Sequence, residues 1–236
     1  MTDLKKIKLS IIGDSGIGKS SILNRYIFDK FNLNSRSTIG VEFGQIEIEL
    51  NNGEHYLLEI WDTAGQCKYR SIVKSYYRNV DGFILVFDIT NKDSFNNLSY
   101  WLNEINGNCD KDDVYILLVG NKIDLYDKEK DEKFNFDDGI IKFINDNNNN
   151  NYNILPKYYI TSAKNNVSIS LLFQYLTEEL DYIYKIRNNL NNLNLKNENE
   201  NENENEKKNK NNEKIKLSNN NDNNNNNNKN NKKCCL

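Results

Sequence analysis

Gly13-Asp14-Ser15-Gly16-Ile17-Gly18-Lys19-Ser20 reads G-x-x-x-x-G-K-S and carries the most specific chemistry in the chain. The glycines let the backbone curl until its N–H groups face one point, an arrangement that suits phosphate oxygens. A helix beginning at the end of the run adds the partial positive charge of its N-terminus. Lys19 then supplies a point charge to the terminal phosphates, and Ser20 a hydroxyl oxygen for Mg²⁺. The bland alternative is a glycine-rich turn with a surface lysine, so the surroundings have to decide.

Three further polar clusters stand in order along the chain: Trp61-Asp62-Thr63-Ala64-Gly65-Gln66, Asn121-Lys122-Ile123-Asp124 and Thr161-Ser162-Ala163-Lys164. Each alone also reads as a cap or a turn. Each, however, follows a short strand-like run and so belongs at a strand's carboxyl end, where α/β sheets bind ligands. With the glycine-rich run they converge on one rim.

The elements that must position these groups are legible as alternating patterns. Leu9–Ile12, Phe83–Phe87, Val114–Val119 and Tyr158–Ile160 are apolar runs suited to strands buried on both faces. Val41–Leu50 and His55–Ile60 flank Asn51-Asn52-Gly53, a hairpin signal. Ser21–Phe28 reads as a helix. From Ser94 onward Phe95, Leu98, Leu102 and Ile105 share one helical face, as do Ile169, Leu172, Phe173, Leu176, Leu180 and Ile183. The pattern predicts an α/β layered domain: a mostly parallel six-stranded sheet with one antiparallel strand, and helices on both faces.

Composition bounds the rest. The chain has 236 residues with 31 basic and 34 acidic side chains, a formal charge of −3 that argues against general nucleic-acid binding. Its apolar runs are far shorter than the roughly 20 residues of a membrane span. The start shows no signal-peptide pattern, and Thr2 stands where myristoylation needs glycine. Cys67, Cys109, Cys234 and Cys235 form no CxxC pair and have no histidine cluster beside them, which disfavours a disulfide scaffold or zinc site and favours a reducing setting. A mean hydropathy of −0.80 signals a part that does not fold. The expected division is a folded domain over 1–187, with an Asn-rich surface-loop insertion near 146–153, and a disordered Asn/Lys/Glu-rich tail over 188–236.

Taken together, the motifs resemble those of the Ras-superfamily small GTPases over about Leu4 to Arg187. The resemblance implies the phosphate-loop small-GTPase fold, with GTP and GDP as substrate and product and Mg²⁺ as cofactor. It implies that residues Gly13 to Ser21 cradle the phosphates, and that Asn121 and Asp124 read the guanine edge. A carboxylate suits guanine because it accepts from two N–H donors that adenine lacks there. Lys122 would lie along the base, Ser162, Ala163 and Lys164 would contact its O6, and Phe31 would cover its other side. Thr38 and Asp62 would join Ser20 at the metal. The Gly65 N–H would face the γ-phosphate, and Gln66 would orient the attacking water beside Lys19.

Within that superfamily the Rab branch is the nearest resemblance. It rests on Thr38-Ile39-Gly40-Val41-Glu42-Phe43, on Tyr76-Tyr77-Arg78-Asn79-Val80-Asp81-Gly82 and on Asp14-Ser15-Gly16. It implies an effector region of Ser35, Arg36, Ser37 and the Thr38–Phe43 segment, completed by Trp61 and Tyr76; Phe43, Trp61 and Tyr76 also read as ordinary core aromatics. Two stretches depart from the branch's usual pattern, and Ser15 replaces the glycine of Ras itself, as is usual in that branch. Cys67-Lys68-Tyr69 stands where Glu-Arg-Phe or Glu-Arg-Tyr is usual, and Ser35-Arg36-Ser37 lacks a common tyrosine.

The end, Cys234-Cys235-Leu236, resembles the double-cysteine prenylation signals of that branch. Eight lysines between Lys207 and Leu236 face only Glu213 and Asp222, a basic balance suited to an anionic leaflet. Two lipid chains suit stable anchoring, since one gives only marginal binding. The tail would act as a tether with a reach on the order of 35–40 Å. The resemblance implies a monomer on the cytoplasmic face of a membrane, with a cytosolic pool. It also implies exchange factors, GTPase-activating proteins, effectors, a lipid-masking chaperone and a prenyltransferase with its escort as partners. The alternative is a GTP/GDP-binding module with negligible hydrolysis.

Overall fold

β1 (Lys5–Ile12) is central, pairing in parallel with β3 (His55–Thr63) on one side and β4 (Gly82–Asp88) on the other. The full sheet has six strands in the order β2-β3-β1-β4-β5-β6, with β2 at Val41–Glu49, β5 at Tyr115–Asn121 and β6 at Tyr159–Ile160. Only β2 runs antiparallel, registered so that Phe43 faces Trp61. The expected architecture is what the computed structural model shows. It describes residues 4–34, 36–66, 69, 73–110, 114–127, 136–150 and 152–190.

Burial explains the order. Every residue of β4 is buried, as suits a strand covered on both faces, whereas edge strand β2 buries only Gly44. On one face Phe83, Leu85 and Phe87 pack with Leu98, Trp101, Leu102 and Ile105, residues of α3 (Leu98–Asn108). On the other, Gly82 lies against Leu176 and Leu180, from the helix that opens at 169, and Gly44 lies against Leu23 and Ile27 of α1 (Lys19–Phe28). Helices therefore cover both faces.

Two local expectations change. The amphipathic stretch from Ser94 is two helices, α2 (Lys92–Asn96) and α3, because Asn97 caps the first and starts the second. The Asn-rich tract is not all loop: α4 (Phe136–Asn148) runs through its first three residues. Asn147 Nδ2 donates to the Phe143 carbonyl at 2.8 Å, closing the last turn. Asn148 donates to the Ile154 carbonyl and accepts from its N–H, both at 2.8 Å, which pins the returning chain. The helix itself buries Ile140 and Ile144, a periodicity the sequence reading passed over.

The chain divides into two units, Met1–Asp181 and Tyr182–Leu236. In the second, residues 182–190 are helical, so positions 188–190 of the expected tail carry helix. The rest of that tail, with Cys234 and Cys235, lies outside the described residues. Within the first unit, the carboxyl ends of β1, β3, β4, β5 and β6 lead into Gly13, Asp62, Asp88, Asn121 and Thr161. Four of those five were anticipated as polar clusters; Asp88 was not.

Candidate functional site

The glycine-rich loop leaves β1 and ends at Gly18, whose φ of 97° lies in the left-handed region and caps α1 without a side chain. Lys19 then folds back, and its Nζ donates to the carbonyls of Gly13 at 2.9 Å and Asp14 at 2.7 Å. Burial lowers its pKa to about 8, while the charges of Asp62 and Asp14 pull the other way. One residue on, Ser20 Oγ sits 2.6 Å from Thr38 Oγ1 and donates to Asp62 Oδ2. Three oxygen-bearing side chains from α1, the segment before β2, and β3 therefore meet at one point.

Asp62 is fully buried, and burial raises its pKa to about 6 against the lowering effects of the Ser20 hydrogen bond and the Lys19 charge. Its other oxygen, Oδ1, is buried with no hydrogen-bond partner among the described residues. A buried carboxylate oxygen left unmet costs stability unless a cation or donor satisfies it. Two hydroxyls and a carboxylate are the hard oxygen donors that Mg²⁺ takes alongside phosphate oxygens. Beside them Gly65 presses on the glycine-rich loop so closely that a Cβ would fall 2.5 Å from the Asp14 carbonyl carbon and the Ser15 nitrogen. Only glycine fits there.

The second half of the site is already paired. Asn121 Nδ2 donates to the Ile17 carbonyl at 2.9 Å, and its Oδ1 accepts from Thr161 Oγ1 at 3.2 Å and the Ala163 N–H at 3.3 Å. Lys122, at a φ of 72°, places Nζ 2.7 Å from the Gly16 carbonyl and 2.7 Å from Asp88 Oδ2. Ser162 Oγ donates to Asp124 Oδ1 at 2.5 Å, and Lys164 Nζ stands 3.9 Å from Asp124 Oδ2. These bonds hold the Asp124 carboxylate while leaving it at the cavity wall.

One cavity of about 310 Å³ joins the two halves. Ser15, Gly16, Gly18, Lys19, Ser20 and Ser21 line it with Phe31, Thr38, Gly65 and Gln66, and at its other end Asn121, Lys122, Asp124, Ala163 and Lys164. Arg36 and Ser37 line it as well. Gly13, Asp14, Ile17, Asp62 and Ser162, expected at the site, are not part of that lining. The Asp14 carboxylate turns away altogether, accepting from Trp101 Nε1 and Asn97 Nδ2, each at 2.8 Å.

The cavity thus has the glycine-rich loop at one end and a paired Asn/Asp/Ser set at the other, and sequence comparison places the chain in a family. The profile of the Ras family matches residues 8–182. The chain belongs to the Ras family, as a Rab-type small GTPase. It is 41% identical over 178 residues to the Ras-related protein Rab-10 of Caenorhabditis elegans, spanning 73% of this chain and 80% of that one. It is 46% identical over 128 residues to Ras-related protein Rab-18-B of Danio rerio, 54% of this chain and 62% of the relative. With Ras-related protein RGP2 of Oryza sativa subsp. japonica it shares 48% over 118 residues, 50% and 54% of the two chains. The matched region thus spans less than two thirds of the latter two relatives.

In this Rab-type chain the aromatic trio of the expected effector region is contiguous. Phe43 and Trp61 have ring centroids 4.7 Å apart, and Trp61 and Tyr76 4.9 Å. Phe43 is 48% exposed and Ile39 77%, so this is surface rather than closed core. The Gly40 carbonyl accepts from the Ala64 N–H at 2.9 Å, joining the Thr38 segment to the Gln66 segment. Ser35, Cys67 and Lys68 lie outside the described residues. Asp88, Asn97, Trp101 and Arg25 were missed from the sequence. Asp88 could have been found as one more polar residue at a strand's carboxyl end; the others carry no local signal.

Proposed function

We propose that this chain binds GTP and GDP, hydrolyses GTP to GDP and phosphate, and acts as a membrane-anchored switch in vesicle traffic. The observation that carries the reading is the meeting of Ser20 and Thr38 hydroxyls, which line the cavity with Asn121 and Asp124, with the Asp62 carboxylate just behind them. Guanine recognition falls to Asp124, with Asn121 bracing the loops around the base and Phe31 covering it. Lys19 releases the Gly13 and Asp14 carbonyls to meet the phosphates. Ser20, Thr38 and Asp62 would hold Mg²⁺, which when bound neutralises charge on the phosphate oxygens. Gln66 orients the attacking water, and the Gly65 N–H faces the terminal phosphate. Turnover without a partner is expected to be slow, on the order of 10⁻⁴ to 10⁻² s⁻¹, as for a small GTPase whose motifs carry no arginine finger of their own.

A change of state is read out through Ile39, Phe43 and the partly exposed Trp61 and Tyr76, next to Thr38 and tied to the Gln66 segment by the Gly40–Ala64 bond. Exchange factors, activating proteins and effectors are the partners this implies. Prenylation of Cys234 and Cys235 supplies the anchor, with a chaperone masking the lipids in the cytosolic pool. Single-turnover phosphate release from the GTP-loaded chain tests the enzymatic half. Gln66→Leu should slow it on the order of 10²-fold with GTP affinity unchanged; equal rates would leave only a binding module. Fractionation tests the anchor: Cys234→Ser with Cys235→Ser should leave the protein wholly cytosolic while nucleotide binding stays normal.

A further inference from the structure

Arg25, in the last turn of α1, ties the far end of that helix to the loop at the base end of the cavity. Its side chain is 14% exposed. Nε donates to the Ala163 carbonyl at 2.8 Å and Nη2 to the Lys164 carbonyl at 3.1 Å. Nη1 donates to the Asp29 carbonyl at 2.9 Å and pairs with Asp29 Oδ1 at 2.8 Å. Asp29 caps α1 at a φ of 50°, and Asn166 Nδ2 reaches the same carboxylate at 3.4 Å. One guanidinium therefore holds two successive carbonyls of the loop from behind while its own helix end holds it.

The consequence follows from peptide geometry. In a planar trans peptide the C=O and the next N–H point in opposite directions. With the Ala163 carbonyl drawn toward Arg25, the Lys164 N–H points away from that side chain, and both Ala163 and Lys164 line the cavity. No hydrogen bond among the described residues takes that N–H. A planar fork can hold two neighbouring carbonyls at a set spacing, which a single ammonium cannot.

We propose that Arg25 is a positioning residue for the purine 6-oxo group: it aims the Lys164 N–H at that oxygen and so sharpens discrimination for guanine. The proposal rests on the guanine-site reading above. Its test compares release of two nucleotides from the full-length chain: GDP, and 2-aminopurine riboside diphosphate, which lacks the 6-oxo group. Arg25→Met should speed GDP release about tenfold, equivalent to about 1.4 kcal/mol, and change release of the analogue less than about twofold. Arg25→Lys keeps the charge and the helix propensity and should fall between, near threefold for GDP; it carries the comparison if Arg25→Met does not fold. Equal acceleration of both nucleotides, as a merely loosened helix end would give, overturns the proposal, and so does no change in either. If the unsubstituted chain releases both nucleotides at the same rate, the guanine reading falls, and this proposal with it.

Discussion

The two ends of the cavity are built from similar residues and satisfied in opposite ways. At the end proposed to take the base, Asn121, Lys122, Asp124 and Ser162 are bound to one another, to Asp88 or to backbone, so the proposed recognition geometry is set by the protein alone. At the phosphate end one buried oxygen of Asp62 has no partner among the described residues, and the Lys19 ammonium is held by carbonyls of its own loop. The base end is preorganised for one shape; the phosphate end is poised to gain from added charge. Specificity and switching can thus be housed in one cavity without the same groups serving both.

Asp124→Asn strikes hardest at the preorganised end. It replaces an acceptor with a donor, so GDP affinity should fall on the order of 10⁴-fold, while xanthosine diphosphate, with an oxygen in place of the 2-amino group, binds better than GDP. Competitive displacement measures both, and a variant that keeps GDP preference would remove Asp124 from base reading. Its phosphate chemistry should survive, so xanthosine triphosphate should still be hydrolysed.

Gly18→Ala attacks the seam between the ends. A Cβ there would stand 2.3 Å from Asn121 Nδ2, at a φ of 97° that side chains rarely adopt. The bond from Asn121 to the Ile17 carbonyl would break, costing about 1–3 kcal/mol. GDP and its 2-aminopurine counterpart should both be released on the order of 10–100-fold faster, in contrast to the selective effect expected at Arg25. Selective loss of GDP alone would show that the seam belongs to the base end.

Trp101→Phe has the smallest expected effect. It deletes the indole N–H that holds Asp14 Oδ1 and leaves the Asn97 bond on the other oxygen. Chemical denaturation should register a loss of about 1 kcal/mol, and release of both nucleotides should quicken roughly threefold. A change confined to GDP would place Trp101 with the base end instead.

The four motif clusters and the six strands were open to reading from the chain because each is local. A strand needs a short apolar run, a phosphate loop needs glycines at fixed offsets, and parallel strands send their carboxyl ends to one rim. Asp88 fits the same logic. By contrast the break at Asn97 rests on its backbone N–H closing the first helix onto Asp93 and Phe95, and the helix through Asp146–Asn148 on side-chain bonds to backbone, such as Asn148 with Ile154, that oppose composition.

From its sequence alone the chain determined which motif clusters surround the cavity and in what order, because loop chemistry and strand period are written within a few positions. Tertiary structure decided what stands behind them. Trp101 and Asn97 meet Asp14 across more than eighty positions, and Arg25 meets Ala163 across 138. No periodicity encodes such partners; they exist only once both faces of the sheet are covered and the helix ends have come to rest against the loops.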